Sequence, residues 1–187
     1  MSLQTWVECL VSAQGDGTQI SDSSVAASLL PAAAKITLPT NFFYIGRVLR
    51  VTACGRISNV VTTPGTLTLD FRLGSVVAFN GGAMQLSTTA HTNVPWWWSV
   101  LLTCRAIGSG TSANLMGQAD FFSQAANISG ADTTTGHSHL LNPNSAPGVG
   151  TGFDSTTTNQ VDMFGKFSVT TDPTQITLHQ FILESLN

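Results

Sequence analysis

Residues 94–107 read VPWWWSVLLTCRAI. Taken with a period of two, the stretch splits into two unlike faces. Val94, Trp96, Trp98, Val100, Leu102, Cys104 and Ala106 form one face, which holds no strongly polar group. Pro95, Trp97, Ser99, Leu101, Thr103, Arg105 and Ile107 form the other, where large apolar groups mix with Thr and Arg. The first face belongs in a core. The second suits a surface that something else partly covers. The pattern predicts a long strand near the middle of an all-β domain.

The stretches around it agree. Thr66 to Leu73 (TLTLDFRL) alternates, with Leu67, Leu69, Phe71 and Leu73 facing in and Thr68, Asp70 and Arg72 facing out. Phe42 to Val61 is β-rich, and Gly46 and Gly55 predict a bulge or bend within it. Ser75 to Asn80 reads as a short strand closed by a hairpin signal, Asn80-Gly81-Gly82, with another short strand from Met84 to Thr88. Thr111 to Gln124 is expected to pair with the tryptophan strand across Gly108-Ser109-Gly110. Thr158 to Thr170 and Gln175 to Ser185 complete the set. The alternation of the last changes phase between Leu178 and Phe181, which predicts a bulge there or burial on both faces. Thr63-Pro64-Gly65-Thr66 carries Pro and Gly in the central positions of a type II turn, and Asp172-Pro173 marks another turn.

The N-terminal part is less regular. Gln4 to Ser12 reads as a first strand or an extended arm. Val25 to Lys35 has helix-forming composition with Ser23 or Ser24 as N-cap, but Pro31 interrupts it, so one or two helical turns or an irregular connection are expected. Residues 125–158 are rich in Gly, Ser, Thr, Asn and Pro and lack periodicity, as a long loop-rich insertion does. One structural domain is expected overall, with an N-terminal strand or arm and an irregular connection over 1–34 and a jelly-roll sandwich over 35–187. Eight to ten strands without a long helix predict a two-sheet antiparallel sandwich, with a jelly roll preferred over an immunoglobulin-like arrangement.

Composition narrows the function. The chain is 42% hydrophobic and only 9% charged, against about a quarter charged in ordinary domains. Its surface must be built from Thr, Ser, Asn, Gln and Gly. Such a surface repels neighbours weakly and suits a subunit packed against other subunits. Seven basic residues are scattered over a chain of net charge −3, so no stripe is available for nucleic acid. No apolar run approaches the ~20 residues of a membrane span, and the N-terminus lacks the positive region of a signal peptide. Cys9, Cys54 and Cys104 are odd in number and far apart, so buried free thiols are expected.

Chemistry is sparse. His137-Ser138-His139 would place two imidazoles on one face if extended, but Asp132 is the only carboxylate or thiol nearby, and a metal needs three or four ligands. His91 and His179 have no evident partner. Asp70, Asp120 and Arg72 read as outward cross-strand or interface groups rather than as acid/base machinery. Gly148-Val149-Gly150-Thr151-Gly152 precedes no strand–helix unit and reads as a flexible turn. Asn127-Ile128-Ser129 matches a glycosylation acceptor, a motif without meaning unless the chain is secreted. No catalytic residue, metal ligand or cofactor site is expected. The candidate subunit-interface residues are Trp97, Leu101, Arg105, Asp70 and Arg72, with Trp97 as the aromatic anchor.

Three stretches resemble structural proteins of tailed bacteriophages. They run from Ser28 to Val77 (SLLPAAAKITLPTNFF to DFRLGSVV), from Asn93 to Gly110 (NVPWWWSVLLTCRAIGSG), and from Gly150 to Asn187 (GTGFDSTTTNQVDMFG to FILESLN). The resemblance implies a jelly-roll virion component, non-enzymatic, of the capsid decoration or cement type. Its expected partners are copies of itself, a trimer above all, and the major capsid protein. Its expected place is the capsid surface after assembly in the host cytoplasm. The alternative is a tail, neck or head-fibre component carrying a glycan-binding β-sandwich.

Overall fold

The tryptophan stretch is a strand, and it lies inside the larger of two sheets. The computed structural model describes residues 6–60, 62–127, 139–142 (backbone only), 148–171 and 173–186. In chain order the strands are β1 (Glu8–Ser12), β2 (Ile20–Ser21), β3 (Ala27–Ser28), β4 (Thr37–Leu38), β5 (Val48–Asn59), β6 (Thr66–Leu73) and β7 (Val76–Gln85). They continue with β8 (His91–Ala106), β9 (Asn114–Ser123), β10 (His139–Asn142), β11 (Gly148–Val149), β12 (Asn159–Phe167) and β13 (Gln175–Ser185). One sheet has the order β1-β13-β5-β8-β9-β10, with β2 on β13 and β11 on β9. The other has the order β3-β12-β6-β7, with β4 on β12. The strand pairs are antiparallel, and the two sheets form a sandwich. The chain passes between sheets from β2 to β3, β4 to β5, β5 to β6, β7 to β8, β11 to β12 and β12 to β13, a winding consistent with a jelly roll.

Alternation explains the core. In β8, Trp96, Trp98, Val100, Leu102 and Cys104 are buried, while Pro95, Trp97, Leu101 and Arg105 are exposed. One inward row crosses the large sheet as Phe181, Ala53, Trp98 and Phe121. Trp98 also meets Phe79 of the smaller sheet at 6.1 Å between ring centroids, joining the layers. Rings of this size bury roughly 150–250 Å² each, about 4–6 kcal/mol gross as an upper bound. These rings are among the largest fully buried side chains of the core.

Several local expectations give way. Asn80-Gly81-Gly82 is not a hairpin turn. It is a bulge inside the continuous strand β7, where the register jumps between Thr68–Ala83 and Asp70–Asn80. Gly82 takes φ +74° there, and its N–H donates to Asn80 Oδ1 at 2.7 Å. The true hairpin turn is at Gly74, with φ +60°. The Val25 to Lys35 stretch, by contrast, holds one helical turn within an irregular connection, as expected: a 3-10 turn, Ala32–Ala34, with Pro31 as its N-cap residue. Ser23 instead closes a local turn by accepting from the Val25 N–H. Gly148 to Gly152 is no flexible turn. It begins as β11, and a Cβ on Gly150 or Gly152 would lie 1.7 Å from Ala78 O or 2.0 Å from Thr111 O. The 125–158 insertion is partly sheet, since β10 and β11 both return to β9. Of the free thiols only Cys104 is buried; Cys54 is half-buried and Cys9 exposed. The segment before residue 35 is stitched to both layers, β1 and β2 on β13 and β3 on β12.

The phase change in the last strand is a bulge, as its pattern predicts. Leu178 pairs with Gly55 and Gln180 with Cys54, leaving His179 as the extra residue. Gly55 faces it for a steric reason. A Cβ at that position would stand 1.9 Å from Thr177 O. The space above is taken by the Trp96 indole, whose Nε1–H lies 3.2 Å from both Arg56 O and Thr177 O. Trp96 therefore ties β5 to the bulged segment of β13, and its ring stacks on Phe121 at 6.2 Å.

Candidate binding groove

On the other side of the same sheet the register draws four distant segments into one row. Gln180 pairs with Cys54, Cys54 with Trp97, and Trp97 with Phe122. These side chains point outward and floor a groove of about 810 Å³, within the size range of small-ligand sites. Trp97 is 44% exposed and Phe122 40% exposed. Directly paired residues on neighbouring strands hold their Cβ atoms about 4.5–5.5 Å apart, so the two rings form one apolar floor. Pro95, Arg56, Gln124 and His179 line its sides, with Gly55, Trp96 and Ser123 completing the lining.

The rim groups are held by named partners. Burial pushes the Cys54 thiol up from its ordinary range, so it stays protonated, and Sγ donates to Gln180 Oε1 at 3.4 Å. That contact leaves the Gln180 NH2 as a donor toward the groove. Arg56 donates one N–H to Asn93 O at 3.2 Å and keeps the rest of its fork. His179 Nδ1 sits 2.8 Å from Asp16 Oδ1. A carboxylate only accepts, which assigns the proton to Nδ1 and leaves Nε2 as the second polar atom of the ring. The bulge brings His179 and Gln180 to the groove together. Neither histidine expected to stand alone does so, since His91 Nδ1 lies 3.1 Å from Asn59 Oδ1.

The candidate residues named from the sequence fall in three places. Trp97 floors the groove. Leu101 and Arg105 lie on the same outward face but four and eight residues further along β8, roughly 13 and 26 Å away at ~3.3 Å per residue. Leu101 is 50% exposed, and nearby Ile107 and Ile45 are 46% and 66% exposed. Ile45 is brought there by the Gly46 N–H, which donates to Cys104 O at 2.8 Å. Asp70 and Arg72 belong to the smaller sheet and are far less open than their outward phase predicts. Asp70 is 5% exposed, and Arg72 Nη2 donates to Asp70 Oδ2 at 3.1 Å while its guanidinium lies 3.9 Å over the Phe164 ring. Beside them Asp162 accepts from Ser28 Oγ at 2.6 Å and pairs with Lys35 at 2.9 Å. Of the His137-Ser138-His139 motif, residues 137 and 138 and the His139 side chain lie outside the described residues, as do Asp132, Asp172 and the last two residues of Asn127-Ile128-Ser129.

The groove's other members, Arg56, Phe122, Gln124, His179 and Gln180, carry no motif that a reading along the chain could detect. The phase change at 178–181 was their one local sign.

No protein family matches the chain, and no curated protein matches it. Among solved structures it is similar to the CBM2 module of the evolved Dit of Lactobacillus casei BL23 phage J-1, at 9% identity over 99% of each chain with a TM-score of 0.34. It is also similar to a Shewanella oneidensis MR-1 protein of unknown function, at 12% identity over 96% of this chain and 78% of that one, with a TM-score of 0.33. Neither likeness bears on what this chain binds.

Proposed function

We propose that the chain is a non-enzymatic structural protein of a bacteriophage virion. It acts as a capsid decoration or cement protein, a homotrimer that stabilises the head by binding across major capsid subunits. The observation that carries this reading is the far half of the outward face of β8. Leu101 on that face is 50% exposed, and Ile107 and Ile45 at its end are 46% and 66% exposed, with Arg105 between. Large apolar side chains left open along a sheet face and its end suit a surface made to be covered. Part of the charge nearby is internally paired, as Arg50 Nε donates to Glu184 Oε2 at 2.7 Å. Such a face binds by shape and apolar contact, with avidity from the oligomer.

The carboxylates favour the non-enzymatic reading. Asp162, Asp70 and Glu184 are each paired with a cation, and Asp154 accepts hydrogen bonds from a turn. None of these is one of two carboxylates facing each other across the groove, the arrangement hydrolytic acid/base chemistry needs.

The test is quantitative analysis of purified virions. The expected result is a copy number comparable to that of the major capsid protein, with Leu101→Asp reducing incorporation. A few copies per particle would move the chain to the tail, neck or a fibre and overturn the decoration role.

A further inference from the structure

We propose that the groove floored by Trp97 and Phe122 is a saccharide-binding site, recognising a neutral pyranose chain by stacking and side-chain hydrogen bonds. The inference goes beyond the structural role and does not depend on where in a virion the chain sits.

The position of the groove limits what can occupy it. It lies on the face of the sheet, over β13, β5, β8 and β9. In β5 and β8 the backbone is paired with a neighbouring strand on both sides. A peptide adding as a strand would find no free ladder there, because β-augmentation needs an open edge. Recognition must come from side chains alone. Arg56 is the one Lys or Arg in the lining, and a nucleic-acid backbone needs several cations. A lipid chain fits the floor but not the rim, which is built from Arg56, Gln124, His179 and Gln180.

A pyranose matches both parts. One face of the ring presents C–H groups that stack on an aromatic plane, while the equatorial hydroxyls project sideways as donors and acceptors. Trp97 and Phe122 offer adjacent planes. Gln124 and Gln180 offer amides, and Arg56 a fork of donors suited to neighbouring hydroxyls. A neutral sugar satisfies this lining through hydrogen bonds alone, because Arg56, already bonded to Asn93 O, can spend its remaining donors on hydroxyls. The lining holds no carboxylate, and Asp16, which reaches it through His179, is held by that contact. The bulge places two successive residues, His179 and Gln180, in the lining together, and Trp96 holds the adjoining backbone at Thr177 O.

The purified full chain would be titrated with neutral tetrasaccharides of glucose, galactose, mannose and N-acetylglucosamine, following tryptophan fluorescence and heat. At least one should give saturable binding with a change in emission. Trp97→Ala should weaken that binding tenfold or more, as removal of a stacking ring does, and Gln180→Ala by severalfold. Leu101→Ala, on the same face outside the groove, should leave it unchanged. Trp97 is half exposed, so its variant should keep the wild-type unfolding midpoint, and Gln180→Ala provides a second reading if it does not. Absence of saturable binding to all four probes would overturn the proposal. So would binding that both groove variants leave intact. If Trp97→Ala abolished self-association while no sugar bound, the groove would be an interface between copies instead.

Discussion

Replacing Gly55 by alanine adds one methyl group where the backbone of the neighbouring strand already stands. The new Cβ would lie 1.9 Å from Thr177 O, 2.9 Å from Thr177 C and 3.0 Å from Leu178 Cα. An unstrained carbon–oxygen contact needs about 3.3 Å, so the bulged segment of β13 must retreat by roughly 1.4 Å. No side chain can rotate to relieve this, because the obstructing atoms are main chain. Overpacking of this kind costs about 1–3 kcal/mol. The retreat also loosens the two contacts of Trp96 Nε1–H with Arg56 O and Thr177 O, at about 1 kcal/mol for a shared hydrogen bond. Against this, alanine restricts the unfolded chain and returns about 0.4–1 kcal/mol. The net loss expected is about 1–3.6 kcal/mol. For a chain of 187 residues that is a fall in Tm of about 2–14 °C at ~2–4 °C per kcal/mol. Thermal and urea unfolding followed by circular dichroism would measure it. Gly15→Ala is the matched control, since a Cβ there meets nothing within 4 Å, and it should be neutral or slightly stabilising. A Gly55→Ala variant within about 0.5 kcal/mol of wild type would refute the steric account of the bulge.

Three further outcomes are expected. Asp162→Ala should cost about 2–3 kcal/mol in urea unfolding, below the ~3–5 kcal/mol of a fully buried pair, because Lys35 keeps 26% of its side chain exposed and can turn to water; a loss under ~1 kcal/mol would contradict it. Asp154 is held below the usual carboxylate range by hydrogen bonds from the Thr156 hydroxyl and the Gly110 and Thr156 N–H groups. Its contribution is therefore present above the unfolded value of about 3.9 and is lost as pH falls through the lowered folded value. Asp154→Asn should accordingly narrow its gap to wild type on acidification, and a gap constant from about pH 6 to pH 2.5 would argue against the assignment. Thiol labelling of the native protein at mildly alkaline pH should modify the exposed Cys9 fast and the half-buried Cys54 slowly. Cys104, which is buried and whose thiol burial pushes up, should react only on unfolding; rapid labelling of all three would contradict the packing around β8.

The legible and the illegible divide along a physical line. The period-two pattern placed the buried and open faces of β8 and the bounds of β6 and β13, and its one break, between Leu178 and Phe181, located a bulge. Alternation is a property of each strand's own backbone, so it can be read without knowing the neighbours. It failed where a glycine's role depended on what lay opposite. Asn80-Gly81-Gly82 has the composition of a hairpin turn, yet β6 continues beside it and makes it a bulge. Asp70 and Arg72 were assigned to the correct face, but Phe164 and their mutual pairing cover them, which their own strand cannot reveal.

The binding groove shows the same division most plainly. By itself the sequence determined an all-β chain in two antiparallel layers, with Trp96 and Trp98 turned inward and Trp97 outward. Only the tertiary structure decided that Trp97 stands between Cys54 and Phe122, with Gln180 one strand further on. Those residues are brought together by strand register. Register is set by the fit of whole faces and by one extra residue at position 179, and no segment carries that information alone.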